Sequence, residues 1–131
     1  MRRALVMLAT VATLGCIRIG PNTTNETANR PGGSPALVFA GRNSVDGELL
    51  AIRDTAYVLL TPTDVVLAPL AILDSARFLD RGKTVTYYRE LMPSQRENLR
   101  LISRYPPGMP EVALQSLLRA RNKSSVTVLT R

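Results

Sequence analysis

Val45-Asp46-Gly47-Glu48-Leu49-Leu50-Ala51-Ile52-Arg53 is the stretch on which the fold turns. Val45, Gly47, Leu49 and Ala51 alternate with Asp46, Glu48, Leu50 and Ile52, the two-residue period of a strand. The polar positions give way to Leu50 and Ile52, so the strand begins with one wet face and ends with two apolar ones. Burying both requires the sheet to curl on itself or to be covered by helices.

Working outward, Ala36–Ala40, Ala56–Leu60, Val65–Ala68, Ser75–Leu79 and Thr84–Tyr88 are further short runs of strand length, rich in Val, Leu, Ile, Tyr and Thr. Asp54-Thr55 and Thr61-Pro62-Thr63-Asp64 are short enough to close antiparallel hairpins. Asp80-Arg81-Gly82-Lys83 supplies a glycine that tolerates positive φ. A meander is the simplest topology these separators predict. Asp46, Glu48, Asp54, Asp64, Asp74 and Asp80 stand singly beside turns and strand ends, where an acid caps or bends backbone, and we read them as structural.

After Met92 the period changes to that of a helix. Ser94 with Glu97 three residues on has the form of a capping box. Leu99, Ile102 and, at the end, Tyr105 make the inward face, and Pro106-Pro107-Gly108 stops the helix. Pro110 suits the first residue of a second helix, whose stripe is Ala113, Leu114, Leu117 and Leu118 and whose end lies near Asn122. Val126–Leu129 reads as a last strand. The expected fold is α+β: a small bent antiparallel sheet or partial barrel, then a two-helix unit packed side by side, then a short C-terminal strand.

The run from Gly47 to Asp54, followed by Tyr57-Val58-Leu59-Leu60 and Val65 to Ile72, resembles the core of Sm-like and other small SH3-type barrels. The resemblance implies a second strand bent at a glycine and a later apolar strand leading into an isoleucine-containing turn. It also raises a nucleic-acid-binding alternative.

The chain has 131 residues and a net charge of +7, with no histidine, no tryptophan and one cysteine. One small domain fits this length. The charge suits anionic partners. Without histidine or a spare thiol, most neutral-pH acid–base chemistry, thiol nucleophiles and transition-metal sites are excluded, and no metal or other cofactor is expected. Carboxylate or Ser-Lys chemistry survives this test, so an envelope hydrolase is a further alternative, though no nucleophile–base or paired-carboxylate pattern recurs.

Arg2 and Arg3 precede an apolar run, Ala4 to Leu14, that ends at Gly15-Cys16. This run of eleven residues falls short of the roughly 20 that span a bilayer, so it reads as a signal rather than an anchor. Thr13-Leu14-Gly15-Cys16 resembles the lipobox of bacterial lipoprotein signal peptides, with Thr13 and Leu14 departing from its usual Leu and small residue. The resemblance implies acylation (palmitate among the acyl chains) of Cys16 and a cell-envelope location; Ile17, in place of an aspartate, implies the outer membrane. Lipidation also consumes the only thiol of a chain bound for an oxidising compartment. Export opposes the nucleic-acid alternative.

The organisation expected is therefore 1–15 signal peptide, 16–35 lipidated tether rich in Asn, Thr, Gly and Pro, and 36–131 α+β domain. As a flexible coil, residues 17–35 would span roughly 20–25 Å. The function that follows is a membrane-tethered, non-catalytic binding or scaffolding module whose basic surface meets an anionic envelope component or an envelope protein. Arg96, Arg100 and Arg104, spaced by four, would stack on one side of the first helix without visible acidic compensation, and they are the candidate anion-binding residues. Of Tyr87 and Tyr88, adjacent on a strand, one is expected inside and one outside.

Overall fold

In the computed structural model, residues 32–131 are described. The signal segment 1–15, Cys16 and most of the tether lie outside the described residues. Seven strands form one sheet: β1 (Pro35–Ala40), β2 (Asn43–Ile52), β3 (Ala56–Leu60), β4 (Val65–Pro69), β5 (Ser75–Asp80), β6 (Lys83–Tyr87) and β7 (Thr127–Val128). Two helices, α1 (Pro93–Ile102) and α2 (Glu111–Ala120), stand between β6 and β7. The protein is α+β, with a mixed sheet that curls into a partial barrel without closing.

The strand order β6-β5-β1-β2-β3-β4-β7 corrects the simple meander. Only β1 to β4 meander. A 3-10 turn at Leu70–Ile72 then carries the chain to β5, which pairs antiparallel with β1 on the far side. In a flat sheet β4 and β5 would be four strands apart, about 19 Å at the usual spacing. The five residues Leu70 to Asp74, three of them in a 3-10 turn rising about 2 Å each, do not cover that distance. The sheet must curl until its ends approach, and Ile72 falls in the turn that makes the crossing.

The curl is concentrated at a bulge in β2. Its register against β3 shifts between Leu49 and Ala51. Leu49 faces the inner side of the sheet, while Leu50 and Ala51 both join the outer cluster, so strict alternation fails where the strand bends. Gly47 has a separate role, since a Cβ there would lie 2.5 Å from the Leu60 carbonyl oxygen of β3.

The helices do not pack side by side as expected. Leu99 and Ile102 of α1 enter an inner cluster with Val38, Leu49, Tyr57, Leu59, Val66 and Phe78. Leu114 and Leu118 of α2 pack instead with Leu50, Ala51, Val58 and Val65. On β3 the inner residues Tyr57 and Leu59 flank the outer Val58, so the two clusters lie on opposite faces of the same strands. Each helix covers one of the two apolar faces that β2 to β4 present.

Local chemistry also sets the helix ends differently. Met92, not Ser94, is the N-cap of α1, Pro93 takes the first helical position, and the Gln95 side chain accepts from the Met92 amide at 2.9 Å. Glu97 points instead to Arg100. The helix ends at Ile102, before Tyr105 and the prolines; Ser103 is extended, with its hydroxyl donating to the Arg100 carbonyl at 2.6 Å. Asn122, at φ 55°, closes α2: its amide donates to Arg119 and that of Lys123 to Leu118, the paired bonds of a Schellman ending. β7 lies parallel to β4.

The packed region begins before Ala36. The Ser34 amide donates to the Ile102 carbonyl and its own carbonyl accepts from Leu49, both at 2.9 Å. Ser34 is buried, and its hydroxyl donates to the Leu79 carbonyl. The last residues of the expected tether are therefore part of the body.

Tyr57, 1% exposed, packs edge-on against Phe78 at 5.3 Å, and Phe78 against Tyr87 at 6.0 Å. The Tyr57 hydroxyl has no hydrogen-bond partner among the described residues, and burial pushes its pKa upward, outweighing the opposing pull of Arg96. Tyr57→Phe should raise stability by about 1–2 kcal/mol, because a buried donor without a partner is removed. In the wild type, stability should fall as pH rises past the ordinary tyrosine value of about 10, since the unfolded chain ionises there and the folded chain does not. Denaturant unfolding of both forms at pH 7 and pH 10.5 checks this; Tyr57→Phe should lose the part of the alkaline decline that this residue supplies.

Candidate anion-binding surface

Arg96, Arg100 and Arg104 do not form the free ridge that their spacing predicts. Arg96 and Arg100 stand on α1, whereas Arg104 follows its end. The Arg96 guanidinium donates to the Arg53 carbonyl at 3.1 Å, tying the first turn of α1 to the end of β2. Arg100 makes a two-pronged pair with Glu97, Nε to Oε2 at 2.8 Å and Nη2 to Oε1 at 2.5 Å, and also donates to the Pro106 carbonyl at 2.9 Å. That hydrogen bond holds the Glu97 carboxyl below its ordinary pKa and the Arg100 guanidinium above its own. Both side chains remain largely in water, so the pair adds little to stability.

Arg104 is the most committed of the three. Its Nε and Nη2 donate to the two oxygens of Glu48 at 2.8 and 2.6 Å. Burial lowers its pKa, but Glu48, together with a smaller contribution from Tyr105, outweighs this and leaves it raised. The side chains of the pair are only 25% and 19% exposed, and Glu48 also accepts from the Gly33 amide. Here the chain entering the domain, β2 and the segment after α1 are fastened together. The Arg104 amide donates to Leu49 and the Tyr105 amide to Leu50, at 3.0 and 2.9 Å. Residues 104–105 thus occupy the edge of β2 beyond the point where β1 pairs with it.

The row therefore has local compensation: Glu97 answers Arg100 and Glu48 answers Arg104. Glu97 lies three residues from Arg100, a helical spacing readable in sequence. Glu48 lies 56 residues from Arg104, and only the tertiary fold brings them together. Among the acids read as structural, Asp74 accepts from the Gly41 amide and from Arg131, and Asp64 pairs with Lys123 at 3.2 Å. Tyr87 is buried in the inner cluster and Tyr88 is 70% exposed, the division expected of neighbours on a strand.

Open depressions on the surface of the described residues include two of note. One, of about 450 Å³, lies among Leu73, Asp74, Tyr88, Arg89 and Glu90. The other, of about 280 Å³, lies on the outer face of β1 and β5, where Leu37, Asp46, Arg77, Leu79 and Thr84 meet. Arg77, which lines this second depression, sits 5.2 Å over the Phe39 ring. Among the described residues there is no group of three or more Cys, Asp or Glu placed to hold a metal, and no helix is long and apolar enough to cross a membrane. No protein-family model matches the chain, and neither the curated proteins nor the solved structures contain a significant match.

Proposed function

We propose that the protein is a bacterial envelope lipoprotein, anchored through acylated Cys16 at the outer membrane, whose α+β domain serves as a non-catalytic binding or scaffolding module. The observation that carries this reading is the placement of the only cysteine, Cys16, at the end of the charged and apolar run Arg2 to Gly15. The fastening of Gly33 and Ser34 to β2 and to the end of α1 supports it. A module attached through its N-terminal side needs that side secured to its body, and these bonds secure it.

Labelled fatty acid should enter the wild-type chain and be absent from Cys16→Ala, which should also leave the membrane fraction. Equal labelling of the two forms would remove the anchor from the proposal. Carboxylate and hydroxyl chemistry are addressed separately, by screening the purified full-length chain for hydrolytic turnover; turnover abolished by a single Asp, Glu or Ser substitution would replace the binding role with an enzymatic one.

A further inference from the structure

Among the described residues, β6 ends the sheet and pairs on one side only, with β5. The β5–β6 turn has positive φ at both central residues, Arg81 at 51° and Gly82 at 79°. Such a two-residue turn is flanked by a hydrogen-bonded pair, here Asp80 and Lys83. Alternation from that pair makes Phe78–Val85 and Ala76–Tyr87 the next bonded pairs. The N–H and C=O groups of Thr84 and Thr86 are then directed away from β5, and no other hydrogen bond among the described residues takes them up.

Beyond its short length and a lysine at one end, this edge carries none of the usual guards. Lys83-Thr84-Val85-Thr86-Tyr87 has no proline, its register against β5 has no bulge, and its one charge sits beside the turn. Thr84 and Thr86 are exposed. The sequence also reads the same in both directions about its centre, Thr-Val-Thr.

We propose that β6 pairs antiparallel with β6 of a second copy of the chain, about a two-fold axis at Val85. In this register Thr84 faces the partner's Thr86 and exchanges both backbone bonds with it, and Thr86 does the same with the partner's Thr84. All the outward groups of both threonines are satisfied. The threonine side chains form cross-strand pairs, and Val85 faces the partner's Val85 at a close non-bonded position. Lys83 falls opposite the partner's Tyr87, so the two lysines stay apart. Arg81 lies in the turn and Arg89 and Glu90 lie beyond the end of β6, so these charges fall outside the paired segment. The symmetric Thr84-Val85-Thr86 centre places a threonine pair on each side of the axis, and these cross-strand threonine contacts select a second copy as the occupant.

The test uses the full chain in mild detergent with Cys16→Ser, which leaves no other cysteine and makes the outcome independent of lipidation. Val85→Cys should form a disulfide-linked dimer on mild oxidation about tenfold more than Arg42→Cys, an exposed control, because facing non-bonded positions meet disulfide geometry. Thr86→Pro removes an outward N–H that β5 does not use, a place where an edge strand tolerates proline. It should return Val85→Cys cross-linking to the control level while the circular dichroism is unchanged. Sedimentation velocity without the Val85 substitution should show a concentration-dependent shift that Thr86→Pro abolishes. Cross-linking at Val85 no greater than at Arg42, or a sedimentation shift that survives Thr86→Pro, would overturn the proposal.

Discussion

Replacing Gly33 with alanine should destabilise the domain by about 3 kcal/mol or more, the upper range for forced overpacking. The added Cβ would overlap the Leu49 carbonyl oxygen and lie 2.7 Å from the Arg104 amide nitrogen. Both are backbone atoms, bonded to each other at 3.0 Å, so neither moves aside as the end of a side chain would. On a domain of this size the midpoint of thermal unfolding should fall by roughly 12 °C or more. Gly82→Ala is the informative comparison. Nothing lies within 4 Å of a Cβ there, and only its positive φ opposes the change, at a cost of about 1–2 kcal/mol. Thermal unfolding that shows Gly33→Ala to be no worse than Gly82→Ala would count against the three-way junction.

Leu99→Ala should cost about 2–5 kcal/mol, because the side chain is fully buried in the inner cluster and the cavity left behind would be only partly refilled. Leu118→Ala, at 2% exposure in the outer cluster, should fall in the same range. The sheet lies between the two positions, so their effects should add to within about 0.5 kcal/mol in denaturant unfolding of the double variant. Strong coupling would indicate one continuous core in place of two.

Much of the strand layout is legible in the chain. Ala56–Leu60 is recovered residue for residue because Asp54-Thr55 and Pro62 punctuate it on both sides, and the Arg81-Gly82 turn is marked by its glycine. The bulge is not legible: Leu49, Leu50 and Ala51 are all apolar, so nothing in the pattern marks where alternation slips. That slip, with the crossing from β4 to β5, directs the two helices to opposite faces, and each helical stripe reads the same whichever face receives it. The arginine row misled for a similar reason. Counting by four continues through Arg104, although the backbone has already turned extended at Ser103 without a glycine or proline to announce it. The carboxylate that engages Arg104 lies on a strand far away in sequence, where no helical spacing points.

β7 bears on how the domain is assembled in time. The Leu129 amide donates to Leu67 at 2.9 Å, Asn43 donates to the Thr130 carbonyl at 2.8 Å, and Arg131 meets Asp74 at 3.1 Å. Residues 129–131 bridge β4, the β1–β2 turn and the start of β5, across separations of 87 and 57 residues in the latter two contacts. Until residues 127–131 are synthesised, the β4 edge that β7 covers among the described residues has no β7 to pair with, so this part of the sheet closes late. Such non-local closure is slow.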